Sequence, residues 1–163
     1  QHFHYRFAVV GNIDVQQQSI TGGDERFCGD LTRFVAEDTV VTVIEPDRGD
    51  ENYRPLAENR ERLDSMRLTD GRPLQVIELP MPRPVVYRGD RLPASYANFY
   101  IGNRTVVMPS FDDPADEAAR SALAGCFPDR EVVPIDCTDL VLGLGTFHCL
   151  TQQVPAFHPE GSS

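Results

Sequence analysis

The sequence has 163 residues, of which 40% are hydrophobic, and a formal net charge of −10 at pH 7. This length and apolar content predict a single globular domain over 1–163 and exclude wholesale disorder. The acidic balance argues against a nucleic-acid partner, because phosphate backbones bind basic patches, and it is compatible with a cationic ligand. No apolar run approaches the ~18 residues of a membrane span, so no membrane partner is expected.

Four cysteines are present, and neither their spacing nor that of the histidines indicates a zinc site. The first residues, "QHFHYRF", lack the basic and apolar regions of a secretory signal, so we expect a cytoplasmic protein with reduced thiols. The chain also lacks a starting Met, so we expect it to be trimmed or partial.

The first half of the chain predicts a β-α-β order. A β-branched run predicts a buried strand over 38–45, and "PLQVIELP" predicts a second one over 73–80. Between them, 51–68 has the pattern of an amphipathic helix, with Leu56, Leu63 and Met66 on one stripe. A proline-rich excursion follows over 81–93.

The second half predicts a hairpin, a helix and a strand. The hairpin spans 98–111 around Gly102-Asn103. The helix lies within 112–127, opens with a capping aspartate and places Cys126 in the core, and the strand covers 130–137. This order indicates repetition of one α/β module, with the remaining strand of the first unit expected within 85–101.

The stretch "GLGTFHCLTQQ", 143–153, places a thiol between glycines and a run of amides. We expect a short strand at "TFHCL", which would turn His148 and Cys149 to opposite faces. Cys149 is either a buried structural cysteine or a nucleophile that the glycines allow to approach a ligand closely.

Three stretches together resemble one family: "LPMPRPVVYRGDRLPASYANFYIGN", "CFPDREVVPIDC" and "GLGTFHCLTQQVPA". They are similar to the agmatine deiminases, also called bacterial-type peptidylarginine deiminases, of the guanidino-modifying pentein superfamily. The resemblance covers about 30–157. It implies an α/β (α+β) fold, namely an α/β propeller of ββαβ modules of which this chain carries a part. It also implies hydrolysis of agmatine to N-carbamoylputrescine and ammonia, a step towards putrescine, with no cofactor.

The resemblance implies that Cys149 is the nucleophile that attacks the guanidinium carbon. It places Gly143 and Gly145 beside the substrate, while Asp14 and Asp30 are candidate carboxylates of the channel. His148 is expected to be structural, and Tyr96 and Asn98 are expected to order the channel wall without a chemical role.

The chain departs from the family before the Arg33-Phe34-Val35 anchor. Counting back from that anchor without gaps puts Phe27 and Gly29 where the family has its catalytic histidine and aspartate, so 1–29 is divergent or shortened. Other groups near this part of the chain that could act instead are Asp24, Glu25, His2 and His4.

Three functions therefore remain open: an agmatine deiminase, a peptidylarginine deiminase, or a non-catalytic remnant that serves as a binding or assembly module. Because missing modules would leave sheet edges exposed, we also expect a homo-oligomer.

Overall fold

The computed structural model describes residues 31–152, and its architecture is mixed α/β. The amino-terminal candidates, from His2 to Asp30, lie outside the described residues. Among the described residues, no helix has the length and apolar character that crossing a membrane requires.

The first unit has two strands, a helix and a third strand. These elements are β1 (Thr32–Phe34), β2 (Thr39–Ile44), α1 (Tyr53–Ser65) and β3 (Gln75–Pro80). β2 lies in the middle, antiparallel to β1 and parallel to β3. All three of its valines are buried, as expected for a β-branched central strand: Val41 and Val43 share one face and join the apolar core, and Val40 lies on the opposite face. Leu56 and Leu63 are buried on one side of α1 as predicted, whereas Met66, the third residue of the predicted stripe, follows the helix as its C-cap and is partly buried.

A small hairpin, β4 (Val86–Tyr87) and β5 (Asp90–Arg91), follows the first unit. The second unit then repeats the order of the first with β6 (Tyr100–Ile101), β7 (Thr105–Ser110), α2 (Asp116–Cys126) and β8 (Glu131–Asp136). β7 is central, antiparallel to β6 and parallel to β8. The repeated unit and the hairpin around Gly102 thus match the expectation from the sequence.

Three local predictions were wrong. The extra strand of the first unit is β1, not a strand within 85–101, because residues 35–38 turn the chain and pair β1 with β2. The α2 helix begins at Asp116 with Ala115 at its N-cap and without a side-chain cap. The predicted strand at "TFHCL" is instead a short helix, α3 (Phe147–Leu150).

One apolar core joins the two units. Leu79 from the first sheet, Met108 from the second and Leu123 from α2 belong to it. Tyr96 and Phe99, which lie between the units in the chain, are completely buried in the same cluster, and the ring of Phe99 meets that of Phe127 edge-on at 6.0 Å. The segment before β6 is therefore a central part of the core, although it has no regular secondary structure.

Candidate functional site

Cys149 lies on α3, which follows a tight turn of the chain. A 3-10 helix over Leu140–Gly143 ends at Leu144, whose φ of 66° is left-handed. The chain then passes through buried Gly145 and Thr146 into α3, and it presents Cys149 as an exposed residue. The alternative of a buried structural cysteine is therefore wrong for Cys149.

Gly145 packs directly against Cys149. A Cβ atom added at Gly145 would lie 2.5 Å from the Cys149 Cβ and 2.9 Å from its Sγ, closer than carbon and sulfur atoms approach in proteins. A Cβ added at Gly143 would meet nothing within 4 Å. Of the two glycines singled out from the sequence, the structure therefore requires a bare backbone next to the sulfur only at Gly145.

Asn98 is the residue that holds Cys149. Its side-chain amide donates from Nδ2 to the Cys149 Sγ at 2.9 Å. Its Oδ1 accepts the backbone N–H groups of His148 at 2.9 Å and of Cys149 at 3.2 Å. Because Oδ1 accepts from two N–H groups, the orientation of the amide is determined, and its NH2 group faces the sulfur.

The backbone of Asn98 fixes the same turn. Its carbonyl oxygen accepts hydrogen bonds from the Thr146 hydroxyl at 3.3 Å and from the His148 N–H at 3.2 Å. Asn98 is only 2% exposed, so these contacts are shielded from water. The sequence assigned Asn98 to the channel wall, whereas the structure places it in direct contact with the thiol.

The interpretation of His148 also changes. It rested on the alternation of side chains along a strand, which does not apply because residues 147–150 are helical. In the structure, the backbone N–H of His148 donates a hydrogen bond to the side-chain oxygen of Asn98.

The other two described cysteines have different surroundings. Cys126 is partly buried against the core as expected, and burial raises the pKa of its thiol. Cys137 is fully buried, and that burial, together with the charge of Asp136, raises the pKa of its thiol to about 11. All three described cysteines are free, but only Cys149 is exposed.

An acidic cleft of about 640 Å³ lies at the carboxyl ends of β7 and β8, and it is separate from Cys149. Asp112, Asp116, Asp136 and Asp139 are among the residues that line it. Asp116 is already engaged, since it accepts the Tyr96 hydroxyl at 2.6 Å and the Phe111 N–H at 3.1 Å. Burial and this hydrogen bond raise the pKa of Tyr96, which keeps the phenol protonated.

Over residues 31–152, the structure brings together no three side chains from histidine, cysteine, aspartate and glutamate that could hold a metal ion. In the same range, neither an imidazole nor a carboxylate is hydrogen bonded to the Cys149 sulfur, whose partner is the Asn98 amide.

The two stretches that meet at Cys149, one with Asn98 and one with Gly145, are among the three that carry the sequence resemblance. The profile of the family described as Porphyromonas-type peptidyl-arginine deiminase matches residues 20–155. The chain belongs to this family. Solved structures agree: the "Putative Arginine Deiminase from Porphyromonas gingivalis" is 44% identical, with a TM-score of 0.75, over 77% of this chain and 37% of that one.

Relatives of this deiminase-family chain are also named for agmatine. A "Putative agmatine deiminase" from Latilactobacillus sakei is 35% identical over 77% of this chain and 40% of its own length. The agmatine deiminase of Enterococcus faecalis has a TM-score of 0.72 at 29% identity and covers 77% of this chain and 39% of that one. The chain thus spans about two fifths of the length of the relatives that it matches.

Proposed function

We propose that this chain is a cysteine-dependent amidine hydrolase that converts agmatine and water into N-carbamoylputrescine and ammonia. The observation that carries the proposal is the exposed thiol of Cys149, seated by Asn98 at 2.9 Å, in a chain of the deiminase family. The net charge of −10 favours a cationic substrate over an anionic one.

In the proposed reaction, the Cys149 sulfur bonds to the guanidinium carbon and one terminal C–N bond breaks, so that ammonia leaves. Water then adds to the same carbon, the C–S bond breaks, and the urea product departs from the regenerated thiol. A guanidinium is a poor electrophile because resonance spreads its charge, and the covalent intermediate divides one difficult step into two. We assign Gly145 to the close backbone approach that the sulfur needs, and we propose that Gly143 lies on the substrate side of the same turn.

Both steps also move protons. The leaving nitrogen must gain a proton and the attacking water must lose one, which is the work of a general acid and base. We propose that Asp14 and Asp30 contribute carboxylates to this site, since the family's catalytic positions hold Phe27 and Gly29 here. We also propose a place in putrescine synthesis and a homo-oligomeric protein. A cytoplasmic location is proposed as well, and the three free thiols of the described residues favour it.

A second candidate is a non-catalytic binding module. It is favoured by the sulfur contact described above, in which the partner within residues 31–152 is an amide and neither an acid nor a base. A third candidate, deimination of arginine within a peptide, uses the same chemistry and is suggested by the description of the matching family.

The test is the release of ammonia and N-carbamoylputrescine from agmatine by the full chain, alongside a peptide with one internal arginine. Cys149→Ser should abolish turnover, whereas Cys126→Ser, which removes a partly buried thiol from α2, should retain it. Turnover of the peptide alone would identify a peptidylarginine deiminase. A folded chain that releases no ammonia from either substrate would contradict the hydrolase and leave the binding module.

A further inference from the structure

The segment that carries Asn98 is buried without being part of a helix or sheet. Residues 94–99 are all buried, yet none belongs to a strand until β6 begins at Tyr100. Inside the segment, the Ser95 hydroxyl accepts the Ala97 N–H at 3.2 Å, and the Ser95 carbonyl accepts the Asn98 N–H at 3.3 Å. Buried carbonyl groups outside a ladder need donors from elsewhere, since an unpaired one is costly.

Arg33 provides such a donor on both sides of Asn98. Its Nη1 donates to the Ala97 carbonyl at 3.2 Å and also to the Phe99 carbonyl. Its guanidinium carbon lies 4.2 Å from the centre of the Phe99 ring, where the cation is attracted by the aromatic face. Arg33 sits on β1, which is antiparallel to β2, so its backbone is fixed by the first sheet.

These contacts form a chain of support that runs from the first sheet to the thiol. Arg33 holds the carbonyls that flank Asn98, and the Asn98 side chain holds the backbone and sulfur of Cys149. A shift of the 97–99 backbone would therefore move the donor that faces the sulfur. Arg33, Asn98 and Cys149 come from three stretches that are 51 or more residues apart in sequence, and they converge here.

We propose that Arg33 is a positioning residue for Cys149 and that it acts through Asn98. Its consequence for catalysis rests on the proposed function, but its effect on the thiol does not. The thiolate is the form of cysteine that reacts with alkylating agents, and a hydrogen bond from an amide N–H stabilises a charged acceptor more than a neutral one. Loss of Arg33 should therefore be visible in the reactivity of Cys149 itself.

The test compares Arg33→Met with Arg62→Met, which removes an exposed arginine from α1. Iodoacetamide labelling of Cys149, followed peptide by peptide, should slow by about tenfold in Arg33→Met, as expected for one hydrogen bond to a charged group. With agmatine, kcat should fall about ten- to hundredfold with KM nearly unchanged, because a displaced nucleophile affects the reacting geometry. Arg33→Lys, which keeps a cationic donor, should restore part of both rates, and Arg62→Met should change neither.

A double-mutant cycle shows whether the effect passes through Asn98. In an Asn98→Ala chain, Arg33→Met should slow the labelling of Cys149 no further, because the two changes break the same connection. Additive effects, or unchanged labelling in folded Arg33→Met, would overturn the proposal. If Arg33→Met does not fold, Arg33→Gln takes its place in the same cycle, because its shorter side chain has no guanidinium to bind the two carbonyls. The same two results would overturn the proposal.

The two proposals fail differently. Slower labelling in Arg33→Met, without agmatine turnover in the wild type, would support the positioning role and contradict the hydrolase. Turnover in the wild type, with kcat and labelling unchanged in Arg33→Met, would support the hydrolase and contradict the positioning role.

Discussion

Position 145 leaves no room for a side chain, and the reason is its neighbour at Cys149. A Cβ there would overlap both the Cβ and the Sγ of Cys149, at 2.5 and 2.9 Å. The left-handed conformation that usually selects glycine falls instead on Leu144, with φ of 66°. Space, and not backbone conformation, is therefore what demands glycine at this point of the turn.

Gly145→Ala should lower the free energy of unfolding by about 1–3 kcal/mol, the usual cost of overpacking a tight site. It should also change the labelling rate of Cys149, because the sulfur must move to make room. Gly143→Ala is the matched control, since its new methyl group meets nothing within 4 Å and should cost less than about 0.5 kcal/mol. Thermal unfolding of both variants measures the difference, and equal losses would mean that the turn relaxes around Ala at either position.

The residues of the site were not equally predictable. Cys149 and Gly145 stand in one local stretch, so the sequence could offer a close approach of backbone and ligand at the thiol as one of two alternatives. Asn98 lies 51 residues earlier, and its hydrogen bond to the sulfur depends on how the segment before β6 meets the turn after β8. Arg33 is farther still, and a pattern of residue types carries no information on which carbonyls its guanidinium reaches.

At the scale of elements, the turn between β7 and α2 is organised by carboxylates. Asp116 receives the N–H groups of Phe111 and Asp113, both at 3.1 Å. Asp113 in turn receives the Ala115 N–H at 2.8 Å and the Arg83 Nε at 2.8 Å. The sequence predicted one aspartate that caps the helix. In the structure, Asp113 and Asp116 instead accept hydrogen bonds from backbone N–H groups of the turn before α2.

Asp113 should make stability depend on pH in the acid range. Burial alone would raise its pKa, but hydrogen bonds from Ala115 and Arg83 outweigh burial and hold the pKa below the ordinary value. A carboxyl group with a lowered pKa stabilises the fold above its ordinary pKa of about 3.9 and loses that contribution as the pH falls through the lowered value. Asp113→Asn should therefore be less stable than wild type at neutral pH, and the difference should shrink on acidification.

Urea unfolding between neutral and strongly acidic pH measures this effect. Asp129→Asn, which removes an exposed carboxylate after α2, controls for the change in net charge. A difference between wild type and Asp113→Asn that stays constant with pH would contradict the assignment.

Elements with long patterns were predictable, and short ones were not. The β-branched run of β2 and the apolar stripe of α1 repeat over enough residues to define a period. "TFHCL" is too short to do so, and the structure makes it helical, with Leu150 N–H bound to Thr146. β1 was not predicted, because its 3 residues are too few to show a period and a turn to β2 follows them directly.

At the scale of the molecule, each three-stranded sheet has a buried central strand and two edge strands among the described residues. Pro134 lies within β8 and removes an N–H from that edge, which disfavours pairing with another chain there. Four exposed leucines, here called the leucine surface, lie close in sequence on either side of Cys149: Leu140, Leu142, Leu144 and Leu150. Self-association through side chains of this leucine surface is therefore favoured over pairing through β8.

The predicted homo-oligomer can be tested on this leucine surface. Burial of exposed leucine stabilises an association by about 25 cal/mol per Å², so the wild type should have a mass of two chains or more by light scattering after size exclusion. Leu142→Glu replaces one of these exposed leucines by a charged side chain and should shift the protein towards the monomer. Val86→Glu changes another exposed apolar residue, on the β4–β5 hairpin, and should leave the mass unchanged. A wild type that stays monomeric at every concentration would contradict the oligomer, and equal effects of the two variants would place its interface elsewhere.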